Sequence, residues 1–199
     1  IKDEAGNYIS LDVDNSGKKT KDFVTSKEGH VDVYEKIPAG KYTLVETVPP
    51  AGYKLANPVN FEVTGKEATV TVEMHDKRVS TGISIEKKDS STGNSAGAGF
   101  EFNIVTDENI TDASGAVYKG FKAGTVVDKI VTDKSGIAKS NVQLYPGNYH
   151  IEEAKTATNY LNDAGKVTFK IAEKKVNGTW VAEVENFDGK VISIKDSPV

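Results

Sequence analysis

Short segments in which apolar and polar residues alternate recur along the whole chain. Apolar residues at every second position are typical of β-strands, because successive side chains point to opposite faces of a sheet. Gly, Asn, Asp and Pro cluster between the segments, where they favour turns. The pattern therefore predicts an all-β fold, with strands in NYISLDV (7–13), HVDVYEKI (30–37), KYTLVET (41–47), VNFEV (59–63), ATVTVEM (68–74), GISIEK (82–87), GFEFNIV (99–105), KVTFKIA (166–172), TWVAEVE (179–185) and KVISIK (190–195).

An internal repeat divides the chain into two copies of one β-domain. Residues 25–46 (TSKEGHVDVYEKIPAGKYTLVE) align without a gap to residues 132–153 (TDKSGIAKSNVQLYPGNYHIEE), a shift of 107 residues. With small gaps, VNFEV matches VTFKI and VTVEMHDKRV matches VISIKDSPV. Self-similarity of this kind indicates repeated structural units. We predict tandem domains at residues 1–80 and 81–199.

The two copies are unequal at their beginnings. The second copy has a strand, a turn and a strand (GISIEKKDSSTGNSAGAGFEF) before VTDEN, whereas the first copy starts at IKDEAGN, which aligns with VTDEN. We therefore expect the first domain to lack its opening strand and to bind a strand by β-augmentation. The second copy also has an insertion at about 108–130.

Composition excludes several classes of function. The chain has no Cys, which excludes disulfides, thiolate zinc sites and a Cys nucleophile. Its net charge is −4 and it has no basic stripe, so we expect no nucleic-acid partner. No apolar run reaches the ~18 residues of a membrane span, so we expect no membrane partner. We also expect no metal and no cofactor.

The sequence contains three motifs: an opening motif, KKDSSTGNSAGAGF (87–100); a middle motif, GKYTLVETVPPAGY (40–53); and a closing strand, VISIKD and VTVEMHD. GNYHIEEAKTATNY (147–160) matches the middle motif more loosely, because it lacks the Pro and the Gly. These motifs resemble those of the B-type domains of Gram-positive collagen adhesins and of related pilin domains. The resemblance implies Greek-key β-sandwiches of the prealbumin type. It also implies an isopeptide bond between a first-strand Lys and a last-strand Asn or Asp, promoted by a Glu of the middle motif.

Alternation brings candidate residues for this bond to the core boundary. Three predicted strands each place two apolar residues and then one ionisable residue on one face: Ile83, Ile85 and Lys87; Tyr149, Ile151 and Glu153; Ile192, Ile194 and Asp196. Burial disfavours charged forms, so a neutral Lys87 amine is expected to attack the Asp196 side-chain carbonyl. Protonated Glu153 would polarise that carbonyl and transfer protons. Folding supplies the proximity that the reaction needs.

Other interpretations of these residues stay open. Lys87 could instead be a solvated residue of an edge strand. Lys88 is a rival to Lys87 as the amine, and Asn186 is a rival to Asp196 as the acceptor. The three groups are alternatively an unreacted buried ion-paired cluster. In the first copy, Glu46 and Asp76 hold the matching positions, but we expect no Lys partner for them in this chain. Lys2 is a poor substitute, because it aligns within the next strand.

Two classes of function follow. The first is a structural stalk segment of a Gram-positive cell-surface adhesin or pilus, extracellular and anchored to the cell wall, with neighbouring domains or subunits of the same fibre as partners. The second is an adhesin module that binds a host matrix protein or glycan through the insertion, where Tyr118 and Phe121 are candidate contacts. A transthyretin-like enzyme has less support, because no His cluster converges. DVDNSG (12–17) has part of a calcium-loop pattern, but Phe23 stands where the loop needs Glu.

Overall fold

The computed structural model describes residues 1–67, 69–187 and 191–199, and these residues form two compact units. The first unit contains Ile1–Pro50 and Lys54–Lys77, and the second contains Ala51–Tyr53 and Arg78–Val199. All regular elements within the described ranges are β-strands. In the described part of the chain, no helix has the length and apolar character needed to cross a membrane.

The first unit has little regular structure. Strand β1 (Gly40–Leu44) pairs antiparallel with β3 (Val59–Val63), with Tyr42 opposite Phe61. Two further strands, β2 (Tyr53–Lys54) and β4 (Lys77–Arg78), have two residues each and lie where the chain passes from one unit to the other. The buried core is small. Its buried members are Ile1, Leu11 and Tyr42.

The second unit is a β-sandwich of two sheets. The order of the five-stranded antiparallel sheet is β11-β10-β9-β6-β7, and that of the three-stranded sheet is β12-β5-β8. The strands are β5 (Ser84–Asp89), β6 (Glu101–Thr106), β7 (Val126–Val131), β8 (Ile137–Lys139), β9 (Gly147–Lys155), β10 (Val167–Val176), β11 (Thr179–Val184) and β12 (Val191–Asp196). Strand β5 lies in the centre of its sheet, parallel to β12 and antiparallel to β8.

Inward-facing residues of both sheets form one core. Its members include Ile85 and Ile192 from the smaller sheet and Phe102, Ile104 and Ile151 from the larger one, all at most 1% exposed. In both sheets, strands far apart in sequence are neighbours, as β5 and β12 show. Such neighbours agree with the Greek-key connections that the resemblance implies. The prediction of an all-β fold is confirmed.

The internal repeat is visible in matching structural details. The Tyr42 hydroxyl donates to the carbonyl oxygen of Pro38 at 2.9 Å, and the Tyr149 hydroxyl donates to that of Tyr145 at 2.6 Å. Each Tyr ring stacks on a Phe of the next paired strand, with centroids 5.6 Å apart for Tyr42 and 5.3 Å apart for Tyr149. The corresponding residues of the two copies therefore have the same local packing.

A turn is also shared by the two units. Ser26 N–H donates to the His30 carbonyl in the first unit, and Asp133 N–H donates to the Ile137 carbonyl in the second. The turn glycines Gly29 and Gly136 have φ angles of +81° and +75°. A side chain on either glycine would strain the left-handed backbone.

The two turn glycines give a matched pair of substitutions. A Cβ on Gly136 would lie 3.0 Å from the Lys87 carbonyl oxygen, whereas a Cβ on Gly29 would meet nothing within 4 Å. We expect Gly29→Ala to cost about 1 kcal/mol of stability through backbone strain, and Gly136→Ala to cost roughly 1–3 kcal/mol more through crowding. Urea denaturation, followed by the NMR signals of each unit, measures the loss of stability in both variants. Equal costs would contradict the prediction.

Three predicted strands of the first unit are wrong. Residues 7–13 make only isolated bridges, at Tyr8 and Leu11, and residues 30–37 and 69–74 form no strand. Ala68 lies outside the described residues. Alternation within one segment indicates a strand, but a strand also needs a hydrogen-bonded neighbour, which the pattern does not supply. In the second unit, the last part of the predicted insertion, from Val126, belongs to strand β7.

Candidate functional site

Lys87, Glu153 and Asp196 come from three strands that meet in the core of the second unit. Lys87 lies on β5 and Asp196 ends β12, the strand parallel to it. Glu153 lies on β9 of the opposite sheet, paired with Phe102. The apolar residues that precede each of the three on the same face are at most 3% exposed. The structure therefore brings together the three residues that alternation had indicated.

The three side chains are in direct contact and shielded from solvent. The Lys87 Nζ lies 2.5 Å from Glu153 Oε2 and 2.6 Å from Asp196 Oδ1. The exposed fractions of the side chains are 0% for Lys87, 1% for Glu153 and 0% for Asp196. Buried charges are costly unless each is paired and fully hydrogen-bonded. The hydrogen bonding of this cluster therefore decides whether the charges are well stabilised.

The hydrogen bonding of the cluster is incomplete. Lys87 Nζ donates a hydrogen bond to Glu153 Oε2, but its short contact with Asp196 lacks hydrogen-bonding angles. Both Asp196 carboxylate oxygens and Glu153 Oε1 are buried without a hydrogen-bond partner among the described residues. The contact between Lys87 and Asp196 is thus short, but it lacks the additional hydrogen bonds that usually accompany a buried ion pair.

The surroundings of the cluster are apolar. The Phe100 and Phe102 rings have their centroids 5.0 Å and 5.5 Å from Lys87 Nζ. Burial raises the pKa of the Glu153 carboxyl above its usual range, and the hydrogen bond and charge of Lys87 oppose that shift. A carboxyl with a raised pKa holds its proton more readily, as a general acid near neutral pH must. The proton-transfer role of Glu153 stays a prediction.

The two rival reactants lie away from the cluster. Lys88 is partly exposed, and its Nζ pairs with Glu86 Oε2 at 3.2 Å. Asn186 is exposed and follows the end of β11, with a φ of 63°. Neither residue shares the inward face of β5 or β12. Lys87 and Asp196 are accordingly the better pair.

The first-unit residues Glu46 and Asp76 are not in an ion pair within the described ranges. Glu46 Oε2 accepts a hydrogen bond from the backbone N–H of Ala56 at 2.7 Å, and Asp76 is half-buried. Lys2 forms an isolated β-bridge with Thr43 of β1. It therefore lies beside β1 as strand β6 lies beside β9 in the second unit. Its ammonium lies over the Tyr8 ring, 4.8 Å from the centroid. Lys2 is thus in the strand position that the alignment gave it.

One polar group was missed by the sequence reasoning. His150, on β9, is 8% exposed, with Nδ1 2.5 Å from Asp107 Oδ1 and Nε2 3.1 Å from Glu152 Oε1. Glu152 also pairs with Lys166 at 2.9 Å, and Lys166 and His150 hold the pKa of Glu152 below its usual range. The alternation of NYHIEE placed His150 opposite the core face, and the partner Asp107 is 43 residues away. No spacing rule connects them.

The DVDNSG segment is a hydrogen-bonded turn. Asp12 accepts hydrogen bonds from the backbone N–H groups of Ser16 and Gly17, at 3.2 Å and 2.7 Å. Its oxygens are therefore used by the chain itself. Within the ranges that the structure describes, no group of three or more His, Cys, Asp or Glu side chains is arranged to hold a metal ion.

The aromatic residues of the insertion take part in packing. Phe121 is 8% exposed and belongs to the core cluster. Tyr118 and Phe121 make edge-to-face contacts with Tyr145, with centroids 4.8 Å and 5.2 Å apart. Lys119 Nζ donates to the Tyr145 hydroxyl at 3.0 Å. The two residues proposed as ligand contacts thus hold the insertion against the sandwich.

A family model for the SpaA prealbumin-like fold domain matches the chain twice, at residues 3–78 and 81–186. The chain therefore belongs to the SpaA prealbumin-like fold domain family, and it consists of two tandem all-β domains. This confirms the resemblance inferred from the motifs. A comparison with curated proteins finds no match.

Similar solved structures include a Bacillus anthracis protein and two pilins. The Bacillus anthracis TIE protein is 24% identical with a TM-score of 0.59, over 98% of this chain and 32% of that one. The Streptococcal ancillary pilin is 18% identical with a TM-score of 0.41, over 100% of this chain and 60% of that one. The shaft pilin SpaA from Lactobacillus rhamnosus GG is 18% identical with a TM-score of 0.41, over 88% of this chain and 67% of that one. The chain thus spans about a third of the TIE protein.

Proposed function

We propose that this chain is a stalk segment of a Gram-positive surface adhesin or pilus whose second unit forms an amide bond between Lys87 and Asp196. The observation that carries the proposal is the buried contact of Lys87 with Glu153 and Asp196, at 2.5 Å and 2.6 Å, with both Asp196 oxygens lacking a hydrogen bond. Membership of the SpaA prealbumin-like family supports the structural role.

The reaction is a condensation of an amine with a carboxylic acid. Glu153 takes a proton from the Lys87 ammonium, and the neutral Nζ attacks the Asp196 Cγ. The new N–C bond forms, a C–O bond of Asp196 breaks, and the protons carried by Glu153 and the amine leave with that oxygen as one water. The neutral amide replaces one ammonium and one carboxylate. Because the groups are held in contact, effective molarities of roughly 10⁵ M or more are available.

The position of the bond suits a protein that bears tension. It would join β5, the first strand of the sandwich, to β12, the last, so neither strand can separate while the bond is intact. The reaction occurs once per molecule, so the protein is not an enzyme. The partners would be neighbouring domains or subunits of the same extracellular, wall-anchored fibre. The chain has no Cys, and the amide would serve where disulfides serve in other surface proteins.

Intact mass spectrometry of the denatured chain tests the bond. We expect the wild-type mass to be lower by one water than the sequence mass, and the full sequence mass for Lys87→Ala and Glu153→Ala. Lys88→Ala is the matched control, because Lys88 is adjacent but faces away from the cluster, and its variant should keep the deficit. A full sequence mass for the wild type, measured after prolonged incubation of the folded protein, would contradict the proposal.

The alternative, a module that binds a host matrix protein or glycan through the insertion, has weaker support. Its expected contacts, Tyr118 and Phe121, pack against Tyr145. Exposed apolar residues in the insertion are single side chains such as Val117, which is 39% exposed. Screening against matrix-protein and glycan arrays separates the two functions. Specific binding that is lost when the insertion is deleted would favour the module.

A further inference from the structure

The loop between β9 and β10 lies beside the buried cluster of the second unit. The Asn162 side chain donates a hydrogen bond to the Glu153 carbonyl oxygen at 3.2 Å. The Tyr160 hydroxyl donates a hydrogen bond to Asp89 Oδ2 of β5 at 3.1 Å. Asp89 lies two residues after Lys87 on the same strand. The β9–β10 loop is therefore attached to β9 and to β5, close to the reactive residue of each strand.

The same loop is hydrogen-bonded to the residues that follow β12. The N–H of Leu161 donates to the Ser197 carbonyl oxygen at 2.9 Å. The N–H of Val199 donates to the Asn159 carbonyl oxygen, also at 2.9 Å, and the N–H of Ser197 donates to Asp163 Oδ1 at 3.0 Å. Ser197 directly follows the reactive Asp of β12. The β9–β10 loop therefore connects the three strands that carry the cluster, beside the reactive residue of each.

The Tyr160 ring is the outer of two aromatic layers over the Lys87 amine. The Phe100 ring has its centroid 5.0 Å from Lys87 Nζ, and Phe100 is 0% exposed. The Tyr160 ring packs edge-to-face on Phe100, with centroids 5.3 Å apart, and Tyr160 is half-buried. Tyr160 thus separates Phe100 from solvent, and removing its ring would open a path for water towards Lys87.

Water at the cluster would oppose the condensation. Glu153 Oε1 and both oxygens of Asp196 are buried and have no hydrogen-bond partner among the described residues. Water that entered would hydrogen-bond to these oxygens and to the Lys87 ammonium, and hydration favours the charged forms of all three groups. The reaction needs a neutral amine, so a closed and dry site favours it.

We propose that the β9–β10 loop is a cover that keeps water from Lys87, Glu153 and Asp196, and that Tyr160 is a positioning residue for the amide bond. The cover follows from the contacts of the loop alone, whereas the effect of Tyr160 on bond formation rests on the proposed function. The bond forms in molecules in which the loop is docked on β5 and on the residues that follow β12. Two experiments test the two parts separately.

Chemical labelling tests the cover without any need for the bond. The Asp196→Ala variant cannot form the amide, so its Lys87 amine stays free in every molecule. The folded protein is treated with acetic anhydride, and peptide mass mapping follows the labelling of each Lys with time. We expect Lys87 to be labelled at least about tenfold faster in Asp196→Ala/Tyr160→Ala than in Asp196→Ala. Lys88 is the internal control, because it is partly exposed and should be labelled equally in both variants.

The rate of bond formation tests Tyr160 as a positioning residue. The full chain is made by cell-free synthesis and quenched in acidic denaturant at intervals, and the loss of one water is followed by intact mass. We expect Tyr160→Ala to slow the loss at least about tenfold, and Tyr160→Phe, which keeps the ring, to stay within about threefold of the wild type. Leu161→Ala is the matched control, because the Leu161 side chain is 50% exposed and should not affect the rate.

A second control separates water exclusion from a general loss of stability. Val184→Ala weakens the same core, but Val184 lies on β11, two strands away from β9, and its variant should react at the wild-type rate. Equal labelling of Lys87 with and without Tyr160 would overturn the cover. A wild-type rate for Tyr160→Ala, or an equal slowing by Tyr160→Phe or Val184→Ala, would overturn the positioning role. A wild type that loses no water would contradict the proposed function, and the labelling result would still decide the cover.

Discussion

Replacing Lys87 by Met is expected to lower the free energy of unfolding of the second unit by about 5 kcal/mol or more. Met has a similar length but no charge and cannot form the amide bond. The variant loses a cross-link that would close the loop from residue 87 to residue 196. By analogy with disulfides, closing a loop of about 100 residues contributes ~4.7 kcal/mol through the unfolded state.

The same substitution also leaves two carboxyl groups in the core, because Asp196 keeps the carboxyl group that the amide bond would have consumed. Glu153 and Asp196 have side chains at most 1% exposed, so water cannot hydrate either group. A buried carboxylate without a paired cation carries a desolvation cost of several kcal/mol. Part of that cost is avoided if the carboxyl groups take up protons. Both effects lower stability, so the sign of the change is fixed.

Guanidinium denaturation followed by Trp180 fluorescence measures the effect. Trp180 is the only Trp of the chain and lies on β11, so its signal reports the second unit. Lys88→Met is the matched control and should change stability by less than about 1 kcal/mol, because its pair with Glu86 is partly exposed. A triple variant with Lys87→Met, Glu153→Gln and Asp196→Asn has no buried charges in the cluster. It should regain the stability that Lys87→Met loses through those charges, but not the stability that it loses through the missing bond. If Lys87→Met were as stable as Lys88→Met, the proposed bond would be absent.

Much of this cluster follows from the sequence, because its residues lie on regular strands. Alternation fixes the face of Lys87, Glu153 and Asp196 once each strand is identified, and the motif resemblance identifies which strands meet. The contact between β5 and β12 joins residues more than 100 positions apart. Alternation alone carries no information on such pairing, so that step depended on the family resemblance.

Other features were not predictable from local pattern. Segments 30–37 and 69–74 alternate like strands but form none, because pairing depends on a neighbour rather than on the segment itself. The contact of His150 with Asp107 depends on the pairing of β6 with β9, because Asp107 directly follows β6 and its N–H donates to the Asn148 carbonyl of β9. The packing of Phe121 into the core likewise depends on the path of the insertion, whose composition resembles that of an exposed loop.

The pH dependence of stability should identify Glu153 as a buried acid. Burial raises the pKa of its carboxyl above the usual value of 4.5, and Lys87 opposes the shift. In Lys87→Met the opposing hydrogen bond and charge are gone, so the upward shift remains. Between the usual pKa and the raised one, the folded state holds a proton that the unfolded state has released. Stability therefore falls as pH rises through this window, by up to about 1.4 kcal/mol per pH unit.

Comparing Lys87→Met with Lys87→Met/Glu153→Gln isolates this proton. Gln cannot ionise, so the difference between the two variants reports the Glu153 carboxyl together with its charge interaction with Asp196. We expect the single variant to lose stability relative to the double variant as pH rises from 4.5 to 7, measured by denaturation with Trp180 fluorescence at half-unit intervals. A constant difference, or a gain of stability with pH, would show that Glu153 ionises freely in the folded state. Glu153 would then hold the proton taken from Lys87 too weakly to carry it to the leaving oxygen of Asp196, and the amide bond would need another proton carrier.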